Sequence, residues 1–206
     1  MRSLQRTLAI LALLILTVQT TRHAYTLWLE PRGSVLDRFD QPVRDQVNAA
    51  RSIEELLQQY ETVHRQAEQL RATEERASRP NSYEVPEKEP FKSEHLLREA
   101  ISDWESKAKE IRALRFYWGI GLALVVTGAF VRAKVNRWFG LTLVVTGFSE
   151  IIYWTSPSLL GPSIEGTRLL ANKLALSAAG LAILLTLLWA AGVFSEDQPA
   201  TDRPGG

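Results

Sequence analysis

Glu150 and Lys173 are charged residues set in runs of apolar sequence, "TLVVTGFSEIIYW" and "TRLLANKLALSAAG". An isolated charge in hydrocarbon is costly, so such residues pair, reach for the interface or line a polar pathway. Glu150 precedes the aromatic pair Tyr153 and Trp154 by one turn. Lys173 stands about one turn inside an apolar segment that begins near Arg168. Their matched depths predict an intramembrane ion pair, with Asn172 as a neighbouring hydrogen-bonding group. Such a pair could fix helix register, carry a proton- or ion-linked step, or meet the transmembrane helix of a partner.

Other chemistry finds little footing. His23, His64 and His95 show no metal-ligand spacing, and His64 reads as a surface residue of a helix. There is no nucleotide-binding glycine loop, no G-x-S-x-G elbow and no H-E-x-x-H. Asp37 with Asp40 and Glu54 with Glu55 read as helix-end or surface charges with no pocket to perturb them. The absence of cysteine excludes disulfides and thiolate metal sites. A net charge of +1, without a stripe of basic and aromatic residues, argues against nucleic acid. The expectation is a non-enzymatic protein with no catalytic residue, metal or cofactor.

The elements that hold these residues follow from how charge is distributed. Residues 30–115 hold 18 of the 23 Asp and Glu and 15 of the 24 Lys and Arg, whereas residues 116–194 are almost continuously apolar. A spanning helix needs about 20 apolar residues, and four segments qualify. Residues 138–154 and 174–194 are the clearest; 116–131 is short but flanked by Arg115 and Arg132, and the first, with its apolar core at 8–18, is the weakest. Aromatic residues at Phe116 to Trp118, Trp138 and Phe139, and Tyr153 and Trp154 mark interfaces. Residues 1–29 read as an uncleaved signal anchor, since no small-x-small cleavage site follows the apolar core. Residues 195–206 read as a disordered tail.

Within the apolar half one phrase occurs twice. "GLALVVTG" at 121–128 returns as "GLTLVVTG" at 140–147, on either side of the short basic loop "RAKVNR". Spans joined by so short a loop run antiparallel. Counted outward from its centre near Lys134, Gly128 falls level with Gly140 and Gly121 with Gly147. Lipid tails are as apolar as leucine, so helices in a bilayer associate by close packing at small residues. The four glycines are therefore expected to form a packing seam.

The charged half carries helical stripes. Ser52 and Glu55 stand at capping-box spacing, and Ile53, Leu56, Tyr60, Val63, Ala67 and Leu70 follow at intervals of three and four. A second stripe, Leu97, Ile101, Trp104, Ala108 and Ile111, leads without proline or glycine into residue 116. A single helix of about 35 to 40 residues is predicted there. The two stripes should close as an antiparallel hairpin, with "ASRPNSYEVPEKEPFKS" as its linker. Val35, Leu36, Phe39, Pro42, Val43 and Val47 are expected to dock on its base, and Tyr60 and Trp104 are candidates for contact with another chain.

The fold expected is thus an all-α integral membrane protein of four transmembrane helices with an exposed helical hairpin between spans one and two. Its expected partners are the lipid bilayer and other membrane or envelope proteins, or a second copy of the chain. The leading functional expectation is a subunit that scaffolds or regulates an envelope complex. The alternatives are a small oligomeric transporter or channel using the Glu150 and Lys173 pair, and a helical membrane sensor. Arg2, Arg6 and the loop cations Arg132, Lys134 and Arg137 predict cytoplasmic termini in a bacterial inner membrane, with residues 30–115 in the periplasm.

Overall fold

A computed structural model describes residues 2–29, 49–73, 88–157 and 167–193. The residues expected to dock between 35 and 47, most of the linker and the tail lie outside these. The described residues form five helices: α1 (Arg2–Trp28), α2 (Ile53–Thr73), α3 (Phe91–Lys134), α4 (Arg137–Thr155) and α5 (Thr167–Ala190).

Three of them, α1, α3 and α5, contain stretches long and apolar enough to cross a membrane. By length and composition this is an integral membrane chain. α1, the weakest span by sequence, is among the three because its apolar character extends over Leu4–Trp28. α4 is not. Its 19 residues, about 28 Å of helix, match a bilayer's hydrocarbon core, but the run also holds Arg137, Glu150 and three threonines. Three helices that could cross a membrane are therefore shown, and a fourth is not.

The chain groups into two compact units. A seam unit draws on Met1–Tyr25, Tyr117–Pro157 and Lys173–Gly206, and a hairpin unit on Thr26–Phe116 and Ser158–Asn172. α3, 44 residues and about 66 Å long, contributes to both.

In the seam unit α3 turns into α4 through Val135 and Asn136. Both backbone N–H groups donate to the Val131 carbonyl, and the Asn136 side chain caps α4 by accepting from the N–H of Trp138 and Phe139. So short a turn forces the helices together at once. A Cβ added at Gly128 would lie 2.7 Å from Val144 N and 2.8 Å from the Gly140 carbonyl; at Gly121 it would lie 2.8 Å from the Gly147 carbonyl. At Gly140 it would collide with the Arg132 backbone. The backbones themselves touch, and only glycine leaves room. Thr127 and Thr146 of the repeated phrase are exposed. Leu16 of α1, Val125 of α3, Phe148 and Ile151 of α4, and Leu184 and Leu188 of α5 form the core. α5 ends where Gly192 adopts a left-handed φ of 66°. Val193 N then donates to Leu188 O and Gly192 N to Trp189 O, closing the last turn before the expected boundary at 194.

In the hairpin unit α2 starts at the expected cap. Ser52 Oγ accepts from Glu55 N, and the Glu55 carboxylate reaches back to the N–H of Arg51, one residue beyond the capping-box position. Ala50, Leu56, Leu97 and Ala100 are buried together, with Tyr60, Val63, Leu96, Ile101 and Trp104 packed around them. The two stripes thus meet, but Leu70 is exposed.

Candidate functional site

Each unit holds a cluster of buried polar side chains. In the seam unit it lies at the C-terminal end of α4. The last carbonyls of a helix have no partner within it and carry the negative end of its dipole. Here other helices supply the donors. His23 Nε2 of α1 donates to the Thr155 carbonyl at 2.7 Å, Gln19 Nε2 to the Ile152 carbonyl at 3.3 Å, and Lys173 Nζ of α5 to the Ser156 carbonyl at 3.4 Å. Gln19 Nε2 also donates to Ser156 Oγ, and Thr155 Oγ1 to Gln19 Oε1. Gln19, His23, Thr155, Lys173 and Ser177 are all buried. The arrangement is a helix cap assembled from three helices, and it places a cation where the dipole favours one.

The residues singled out from sequence are engaged as follows. Lys173 belongs to this cap. Glu150, half-buried, accepts from Trp154 Nε1 one turn on, at 3.2 Å. Asn172 belongs to the hairpin unit, where its Oδ1 accepts from Nε and Nη2 of Arg115 at 2.9 and 2.6 Å. The four glycines meet in the seam. Gln19 and His23 escaped sequence reasoning; their signal was two polar residues four apart, on one face of an apolar helix.

The hairpin unit buries a carboxylate. Glu94 of α3 is 3% exposed. It accepts from His64 Nδ1 of α2 and from Arg71 Nη2, both at 2.6 Å, and Arg98 stands 3.5 Å away. Burial alone would raise the Glu94 carboxyl, but the hydrogen bonds and charges of His64 and Arg71 outweigh it and hold the group below the usual carboxylate range. His64 Nε2 lies 3.7 Å from Glu68, and its ring stacks on Tyr60. The Tyr60 hydroxyl accepts from Arg98, whose guanidinium is pushed up mainly by that contact. Tyr60 is therefore half-buried and committed within the unit. So is Trp104, whose ring lies 4.2 Å beneath the Arg168 guanidinium, which also donates to the Ala50 carbonyl.

These clusters order helices. Among the described residues no group of His, Cys, Asp and Glu could hold a metal ion, and the groove lined by Gln66, Gln69, Leu70, Glu89 and Pro90 is open and shallow. The chain matches no protein-family model, no curated protein and no solved structure.

Proposed function

We propose that the chain is a non-enzymatic membrane subunit that scaffolds or regulates a larger envelope complex. α3 carries this reading. One uninterrupted helix of 44 residues supplies half of a charged helix pair, fixed to α2 through Glu94, and half of an apolar hairpin, fixed to α4 through glycine. A helix with one polar and one apolar end suits a part that holds or relays between a membrane assembly and the solution beside it.

In this proposal α4 spans the bilayer with α1, α3 and α5, its Glu150 sheltered by Trp154. The termini are cytoplasmic and residues 30–115 periplasmic, in a bacterial inner membrane. Single cysteines at Ala77 and Ala133, in a chain that has none of its own, test that topology. An impermeant maleimide added to intact cells should label Ala77→Cys alone. Labelling of Ala133→Cys alone would invert the arrangement.

The subunit reading is tested by gentle extraction of the tagged chain and the mass and composition of what accompanies it. A defined partner at fixed stoichiometry is expected. The buried polar group of Gln19, His23, Lys173 and Ser177 favours a second reading, a small oligomeric transporter or channel. A homo-oligomer that conducts ions or protons after reconstitution would replace the first reading with the second.

A further inference from the structure

Several cations among the described residues are already matched. Arg71 and Arg98 face Glu94, Arg65 faces Glu61, Lys107 pairs with Asp103, and Lys173 caps α4. The end of the seam unit where α3 turns into α4 differs. Arg132, Lys134 and Arg137 fall within six residues there, and Arg132 Nη2 donates to Gln5 Oε1 of α1 at 3.1 Å, which brings in the neighbouring Arg6. Arg6, Lys134 and Arg137 are exposed. Among the described residues of this unit the one acidic residue is Glu150, 13 positions from Arg137 along α4, about 20 Å away. The acidic tail residues Glu196, Asp197 and Asp202 lie outside the described residues.

From this geometry we infer that the cationic turn is a binding site for the headgroup of an anionic phospholipid. Like charges held together with no counter-ion among the described residues repel, so an anion arriving from outside relieves that repulsion. Guanidinium groups bind phosphate oxygens in pairs. The same turn exposes Val135, Trp138 and Phe139, and aromatic side chains beside cations suit the boundary between headgroup and acyl chain. The N-terminus of α4 is not the attraction, because Asn136 Oδ1 already accepts from the N–H of Trp138 and Phe139. The site rests on the membrane reading above, but it needs no partner protein.

The test uses the purified full chain in neutral detergent, offered equal amounts of phosphatidylglycerol and phosphatidylcholine, with bound lipid counted by native mass spectrometry. Phosphatidylglycerol should be retained in preference. R132Q, K134Q and R137Q should each weaken that preference about fivefold, and the triple variant on the order of a hundredfold. R22Q removes an exposed charge of α1 that lies 16 residues beyond Arg6, and should change nothing. Equal retention of the two lipids, or an equal loss in R22Q, would overturn the site. So would displacement of the lipid by equimolar glycerol phosphate, which would make free phosphate the ligand. A preference that emerges only in E196Q/D197N/D202N would assign the turn to the chain's own tail. Failure of the membrane reading looks different: the chain would then not float with vesicles of either lipid.

Discussion

The two units bring helices together by opposite means. In the seam unit α3 and α4 meet glycine against backbone, and the buried side chains Gln19, His23, Thr155 and Lys173 gather at the capped end of α4. In the hairpin unit α2 and α3 meet through leucine, alanine and aromatic side chains, and a buried carboxylate with cationic partners sits inside the contact. The solvent each is built for explains the difference. In lipid, burying leucine gains little over leaving it exposed, so helices gain by approaching closely enough for dispersion to act along their length. In water a hydrophobic stripe supplies the drive but sets register loosely. Glu94 meets His64 and Arg71 at one alignment of α2 with α3.

The sharpest way to break this contrast is to strip the partners from the buried charge. His64→Ala with Arg71→Ala leaves Glu94 in place with only Arg98 nearby, and breaking a buried pair from this side costs about 3–5 kcal/mol. Hydrogen exchange should rise across Ile53–Thr73 and stay unchanged across Arg137–Thr155. Glu94→Ala should be milder, because the side chains it frees are half-exposed and turn to water. Next in size is Gly140→Leu. The atoms a side chain would strike belong to the Arg132 backbone, so the cost reaches the top of the range for overpacking, about 3 kcal/mol. Here the pattern of exchange should reverse. Loosening of both units by either change would show that they do not act as separate contacts.

The helices and the glycine repeat were open to sequence reasoning because both are written in local spacing. A stripe at intervals of three and four reports its own helix, and positions equidistant from a two-residue turn report which backbones can meet. The buried clusters were not, because their members are brought together by packing. His64 and Glu94 stand 30 residues apart, and His64 alone reads as a surface residue. His23 and Thr155 are separated by 132. The carbonyl that Lys173 meets is equally hidden, since a sequence displays side chains and not the last carbonyls of a helix. α4 shows the converse. Its length is legible, but Glu150 and the aromatic residues near its C-terminal end interrupt the apolar run.

Acid offers a smaller perturbation with a definite sign. The Glu94 carboxyl is held low in the folded hairpin, so the stability it contributes is complete above the unfolded value, about pH 4.3. That contribution is lost as pH falls through the lower folded value. Protection of α2, taken relative to the intrinsic exchange rate at each pH, should therefore fall on acidification below about pH 4, and Glu94→Gln should flatten that dependence. The glycine contacts between α3 and α4 involve no titrating side chain and should not follow it.

The smallest effect is expected at Lys173, and it separates the cap from a transport pathway. Lysine is buried there because the terminal carbonyls of α4 attract a donor and a positive charge, but Gln19 and His23 also serve that helix end. A cation at a helix C-terminus contributes about 0.3–1 kcal/mol when exposed and up to about 2 when partly buried. Methionine has a similar length and no charge to desolvate, so Lys173→Met recovers part of what it loses. The net cost should be below about 1 kcal/mol, seen as a small shift in thermal unfolding at neutral pH, with partner binding intact. His23→Ala with Gln19→Ala, which strips both donors of α1, should cost more than Lys173→Met. If Lys173→Met instead leaves folding intact and abolishes ion or proton flux in vesicles, the lysine acts on a permeant ion rather than on a helix end.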